Sequence, residues 1–153
     1  MIFRTLALLT FCLLNACNSS APEAVEVIQT YETGAVSRRF QTLNGKKEGK
    51  MTDYYADGKL MAERWFVADK QSGRTVIYYP SGQVKEVQHY MAGKRNGGDT
   101  LWYEGGQAQF VSTFLDDQKN GYLRKWSPDG TLVFEAKYAA DTLIEVKGQP
   151  IGR

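Results

Sequence analysis

A glycine recurs at Gly49, Gly73, Gly97 and Gly121, each 24 residues after the last. Counting on from it, aromatic residues stand five places later at Tyr54, Tyr78, Trp102 and Trp126. A second glycine stands nine places later at Gly58, Gly82, Gly106 and Gly130, and a further aromatic seventeen places later at Phe66, Tyr90, Phe114 and Tyr138. Four copies of one short unit are laid end to end, and a unit of this length can bury its apolar surface only against its neighbours. One step earlier, at Val25, the first glycine is missing, yet Tyr31 and Gly34 fall six and nine places on. This is a degenerate first copy, as expected of the unit that caps a stack.

Each unit reads as a β-hairpin. Runs rich in Tyr, Val, Phe, Trp and Thr are punctuated by Asp57-Gly58, Pro80-Ser81-Gly82, Gly105-Gly106 and Pro128-Asp129-Gly130, and no window of helical length keeps a helical period. The expected fold is all-β, an extended antiparallel β-meander of repeated hairpins forming a single elongated sheet. Pro80 and Pro128 stand where a type I′ turn demands a positive φ that proline cannot adopt, so the turn is type I followed by a glycine bulge. Ser127 then lies opposite Thr131 and Trp126 opposite Leu132.

Counting by twos along the pleat puts Trp126, Leu132, Phe134 and Tyr138 on one face. The even repeat length carries that pattern to Tyr54, Leu60, Ala62 and Phe66, to Tyr78, Val84 and Tyr90, and to Trp102, Ala108, Phe110 and Phe114. The other face is expected to be wettable, mixing Tyr55, Tyr79 and Tyr103 with Glu63, Lys85 and His89. The chain has no amphipathic helix to lay over the apolar face. Three covers remain open: curling of the sheet, a second copy of the chain, or a partner protein.

The start of the chain has a different character. Arg4 gives a positive start, Leu6 to Leu14 an apolar run too short to span a bilayer, and Ala16 a small residue before Cys17. Residues 1–16 are expected to be a cleaved signal peptide. Leu14-Asn15-Ala16-Cys17 resembles the lipobox of bacterial lipoproteins, which implies a lipid on Cys17 as the new first residue. Residues 17–30 then form the lipidated N-terminus and a polar tether, residues 31–148 the repeat domain, and residues 149–153 a short tail. In a Gram-negative host Asn18, by the sorting rule of that family, directs the lipoprotein to the outer membrane facing the periplasm. Loss of the signal removes Cys12, so an internal disulfide has no second thiol.

Little in the chain points to chemistry. His89 is the only histidine and Cys17 is reserved for lipid, which leaves no zinc ligand set and no expected metal or cofactor. Asp57, Ser81 and Asp129 are turn residues, and no acid/base pair or nucleophile arrangement stands out, so no catalytic residue and no enzyme is expected. A formal net charge of +2 argues against nucleic acid. Along one edge, Lys46, Lys47, Lys50, Lys70, Arg74, Lys94, Arg95 and Lys119 mingle with Glu48, Asp69, Asp99, Asp116 and Asp117, reading as a solvated, strand-protecting edge.

The units Gly49-x4-Tyr54-Tyr55-x2-Gly58-x-Leu60, Gly73-x4-Tyr78-Tyr79-x2-Gly82-x-Val84 and Gly97-x4-Trp102-Tyr103-x2-Gly106 resemble the bacterial MORN-repeat-variant family. Gly121-x4-Trp126-Ser127 follows it with Ser127 in place of the second aromatic. The resemblance implies a non-enzymatic repeat protein, exported or lipid-anchored, of the kind described as antitoxin-like or immunity-like components or scaffolds. The expected function is binding of another protein in the cell envelope, with Tyr55, Tyr79, Tyr103 and His89 as contact residues and self-association through the apolar face as a further option. The alternative is a module for peptidoglycan or surface glycan.

Overall fold

The computed structural model describes residues 22–147 together with 149 and 150. The expected signal peptide (1–16), the lipid-attachment residue Cys17 and residues 151–153 of the expected tail lie outside the described residues. Fifteen strands follow one another: β1 (Val25–Thr30), β2 (Val36–Leu43), β3 (Lys46–Tyr54), β4 (Leu60–Val67), β5 (Lys70–Gln71), β6 (Gly73–Tyr78), β7 (Val84–Met91), β8 (Lys94–Arg95), β9 (Gly97–Trp102), β10 (Ala108–Leu115), β11 (Gln118–Lys119), β12 (Gly121–Trp126), β13 (Leu132–Ala139), β14 (Thr142–Val146) and β15 (Gln149–Pro150). All belong to one antiparallel sheet that runs in chain order from β1 to β15, with β5, β8 and β11 as short extensions pairing only with β4, β7 and β10. This is the expected meander. It begins earlier than expected, because Val25–Thr30 pairs with Val36–Thr42 and so belongs to the sheet instead of the tether.

The recurring glycines have a conformational cause. Between each short extension and the strand that follows, one residue turns aside: the N–H groups of Ser72, Asn96 and Asn120 donate to the carbonyls of Trp65, His89 and Thr113 at 2.8, 2.8 and 2.9 Å. The next residue restores the strand by taking a positive φ of 89° at Gly73, 114° at Gly97 and 109° at Gly121, which only glycine adopts without strain. Gly49, Gly73, Gly97 and Gly121 also pair across the ladder with Phe66, Tyr90, Phe114 and Tyr138. The two most regular positions of the repeat are thus cross-strand partners, a glycine opposite an aromatic residue.

Two kinds of turn alternate. At one side of the sheet the N–H groups of Tyr55, Tyr79, Tyr103 and Ser127 bond to the carbonyls of Lys59, Gln83, Gln107 and Thr131, and Gly58, Gly82, Gly106 and Gly130 donate back at 2.8 to 2.9 Å. With φ between 83° and 89° at those glycines, this is the expected type I turn closed by a glycine. The degenerate first copy makes the same turn from Tyr31 to Ala35. At the other side, Asn44-Gly45, Ala68-Asp69, Ala92-Gly93, Asp116-Asp117 and Ala140-Asp141 are two-residue turns with both φ values positive, the type I′ geometry that matches strand twist.

The expected sharing of faces is overturned beyond the turn. Tyr54 pairs with Leu60 but Asp53 with Ala62, and the same skip leaves Met61, Lys85, Gln109 and Val133 unpaired in successive hairpins. Each is a β-bulge, and one extra residue moves everything after it to the opposite face. Tyr54, Tyr78, Trp102 and Trp126, with Leu60, Val84, Ala108 and Leu132, therefore occupy what we term the back face. Ala62, Phe66, Tyr90, Phe110, Phe114, Phe134 and Tyr138 lie on the front face. Of the ten buried residues among those described, eight lie on the front face: Met51, Asp53, Ala62, Thr75, Asp99, Ser112, Phe114 and Ala136. Only Val76 and Val87 are buried from behind.

Gly97→Ala is expected to destabilise the protein by about 1–3 kcal/mol, because a Cβ in this backbone conformation is strained and would sit 3.2 Å from the Cβ of His89. The adjacent Gly98→Ala, where a Cβ meets nothing within 4 Å, is the control that should leave the urea midpoint almost unchanged.

Candidate functional site

The tyrosine row expected to meet a partner is built into the stack. Tyr55 donates its hydroxyl to the carbonyl of Tyr78 at 2.7 Å, Tyr79 to that of Trp102 at 2.7 Å, and Tyr103 to that of Trp126 at 2.9 Å. Tyr31 does the same to Tyr54 at 2.7 Å. Each hydroxyl reaches the hairpin after its own, bonding a residue 23 positions ahead. Ring surface remains half-exposed, but the polar ends are committed. His89 is not beside this row. It lies toward the other end of its hairpin, across from Arg74, with Nδ1 2.8 Å from the carbonyl of Gly98.

The charged edge forms a second set of ties. The carboxylates of Asp69, Asp117 and Asp141 accept from the N–H groups of Lys47, Arg95 and Lys119 at 2.8 to 2.9 Å, while their own N–H groups donate to the carbonyls of those residues. Lys47, Arg95 and Lys119 in turn lie over the rings of Phe66, Phe114 and Tyr138 at 5.7, 3.8 and 5.4 Å. This part of the edge is solvated and strand-protecting in character. Asp99 departs from the expectation for that edge, because strand alternation turns it onto the front face, where it is 6% exposed.

Two polar clusters on the front face carry no repeat signature and went unread in the sequence. In the first, the buried carboxylate of Asp53 is clasped by the guanidinium groups of Arg38 and Arg64. Burial, reinforced by the charge of Arg38, lowers the pKa of Arg64 from its ordinary value. In the second, Asp99 faces Ser112 across the ladder and Glu86 on β7. Burial first, and the Glu86 carboxylate second, push Asp99 up to about 6, with Arg95 and His89 offsetting part of the shift. Asp99 Oδ1 and Ser112 Oγ are buried without a hydrogen-bond partner, which is costly for each.

The back face is open and mixes aromatic and aliphatic side chains with the charges of Lys50, Glu63, Arg74, Arg124 and Glu135. Trp65, Val84, Tyr122 and Leu132 are exposed there, flanking the half-buried Tyr54, Tyr78, Trp102 and Trp126. A groove of about 440 Å³ crosses it between the β6–β7 and β9–β10 hairpins, lined by Arg74, Gln83, Val84, Val87, Trp102, Gly105 and Gly106. A second, of about 400 Å³, is walled by Trp65 with Glu26, Arg39 and Lys50 among its polar rim. Among the described residues no three His, Cys, Asp or Glu side chains come together. The surface offers aromatic and aliphatic area with a few fixed charges, chemistry suited to recognition.

Two measurements check these placements. Tyr79→Phe removes only a hydroxyl and is expected to cost about 1 kcal/mol in denaturant unfolding, the worth of one hydrogen bond. For Asp99 the folded pKa of about 6 stands above the ordinary 3.8, so between those values the folded state holds the proton more tightly. Stability should fall as pH rises from about 4 to about 6 and then level off. Asp99→Asn should flatten that fall and raise the urea midpoint at pH 7.

No curated protein matches the chain. Residues 47–64 and 71–91 match a family model described as MORN repeat variant. The first segment covers most of the β3–β4 hairpin and the second all of β6–β7, so over these residues the chain is similar to the MORN repeat variant family, and the glycine spacing they share recurs in the next two hairpins.

Proposed function

We propose that this protein is a non-enzymatic, lipid-anchored repeat module of the cell envelope that binds another protein through the back face of its sheet, as an antitoxin-type or immunity-type component or as a scaffold. One observation carries the binding reading: in a single-layered sheet, Trp65 at 48%, Val84 at 38% and Leu132 at 47% exposure share a face that no helix or second sheet covers among the described residues. Exposed apolar surface of this kind favours occupation by a partner over exposure to water. Tryptophan and tyrosine at its centre are the side chains most favoured at interfaces. The tyrosine hydroxyls hold the hairpins in register, and the aromatic rings behind them supply the contact area. Anchoring rests on the lipobox-like Leu14-Asn15-Ala16-Cys17, which would hold the repeat domain at the membrane surface.

Crosslinking in intact cells followed by mass spectrometry should recover a foreign envelope protein joined at back-face residues, and Trp65→Ala with Leu132→Ala should reduce that yield severalfold. Recovery of nothing but copies of this chain would count decisively against the reading. Replacing Cys17 by serine should release the protein from the membrane fraction, and retention there would argue against the lipid.

A further inference from the structure

The repeat contains its own template for what the groove beside Trp102 accepts. At the junction one unit earlier, the back face is closed by Glu63, whose carboxylate pairs with Lys50 and accepts the hydroxyl of Tyr78 at 3.1 Å. Both partners lower the pKa of Glu63, Lys50 more than Tyr78, so the side chain is held as an anion between a cation and a donor. Moving 24 residues along the chain converts Lys50, Glu63 and Tyr78 into Arg74, Val87 and Trp102. The cation is kept, the carboxylate is gone, and the phenol has become an indole. The groove of about 440 Å³ opens at this junction. Here Trp102 pairs with the small Ala108, where Tyr54, Tyr78 and Trp126 pair with Leu60, Val84 and Leu132.

Arg74 has no ion pair within 4.0 Å among the described residues. Its field reaches Glu63, but that carboxylate is already engaged by Lys50. The following junction does not repeat the arrangement, since Gly98 and Val111 stand at the places of Arg74 and Val87. Along the stack, therefore, one groove among the described residues presents an exposed guanidinium without an ion pair next to an indole and a valine floor.

We propose that this groove takes an acidic side chain of a partner protein, a glutamate with an apolar neighbour, its carboxylate bonding Arg74 as the Glu63 carboxylate bonds Lys50 and its neighbour covering Trp102 and Val84. The inference rests on the protein-binding reading and names the partner's chemistry at one place on the back face. Arginine suits the role because its planar fork can engage a carboxylate through two parallel hydrogen bonds, and the apolar walls exclude the water that would weaken them.

The test is a titration of the ¹⁵N-labelled protein with a blocked Leu-Glu-Leu tripeptide, its Leu-Gln-Leu counterpart and glucuronic acid, read from the Trp102 indole and the Gly105 and Gly106 amides. The glutamate peptide should shift these signals with an affinity at least about tenfold above the glutamine peptide and the sugar acid, the margin of one charge-assisted hydrogen bond. Arg74→Gln, at an exposed position, should erase the difference. Val87→Glu should refill the groove from within and abolish the response. Equal response to both peptides, a stronger response to glucuronic acid, or none at all would overturn the proposal. Crosslinks to a foreign protein that persist unchanged in Arg74→Gln also overturn it while leaving the protein-binding reading intact. Crosslinks only between copies of this chain sink that broader reading, and the peptide titration still decides the groove.

Discussion

Each hairpin is tied to the next by a tyrosine hydroxyl donated to a backbone carbonyl 23 residues ahead, and the order of the sheet depends on that bond being repeated. A sheet one layer thick has no opposing layer to hold its strands in register, so register must be specified within the plane. Backbone ladders alone would tolerate a slip of two residues. The tyrosine tie does not, because its reach from one turn to the next fixes which carbonyl it meets. At the other side the carboxylates of Asp69, Asp117 and Asp141 bridge successive units in the same way. Between the two lines of ties, each positive-φ glycine pairs across the ladder with an aromatic residue. The stack is thus held at both turn edges and along one interior row.

This construction distributes stability over nearest-neighbour contacts, and it also makes the two faces unequal. The bulge after every turn carries Ala62, Ala136 and the aromatic rings of Phe66, Phe114 and Tyr138 to the front, where side chains pack closely, and leaves the bulky residues before the bulge at the back. Polar groups drawn into the front face need internal partners. Asp53 has two in Arg38 and Arg64. Asp99 has a like-charged neighbour in Glu86 and an orphaned serine opposite, and it responds by holding its proton to higher pH. A buried pair of this sort weakens the third junction relative to the first.

The fold was legible because the features that create it are periodic. Glycine at fixed spacing reports positive φ, and proline at Pro80 and Pro128 reports the turn type through the conformations it forbids. The bulge was not legible. Met61, Lys85, Gln109 and Val133 have no chemistry in common, since an unpaired residue at a bulge is selected for nothing but its presence, and the even repeat length hides the slip by repeating it. The inter-repeat bonds of Tyr55, Tyr79 and Tyr103 were not legible either, for a hydroxyl that reaches its own neighbouring repeat looks in sequence like one that reaches another molecule. Asp99 reads as part of the charged edge from the charges around it in sequence, but its position on a strand, two residues past Gly97, decides otherwise and turns it onto the front face.

In a repeat, positions that agree between copies build the stack, and positions that disagree are free of that duty. Gly49 and its equivalents cannot vary without straining the backbone, whereas the series Lys50, Arg74, Gly98 and Tyr122 and the series Glu63, Val87, Val111 and Glu135 vary in charge and size while pointing to the same face. Structure constrains these side chains only to cover the back of the sheet. The junction where the cation is retained and its carboxylate is lost is therefore unlike a random surface variation. It keeps half of an ion pair that the preceding unit completes, and leaves an exposed guanidinium beside Trp102 and Val87 with its hydrogen-bonding fork open to a carboxylate from outside the chain.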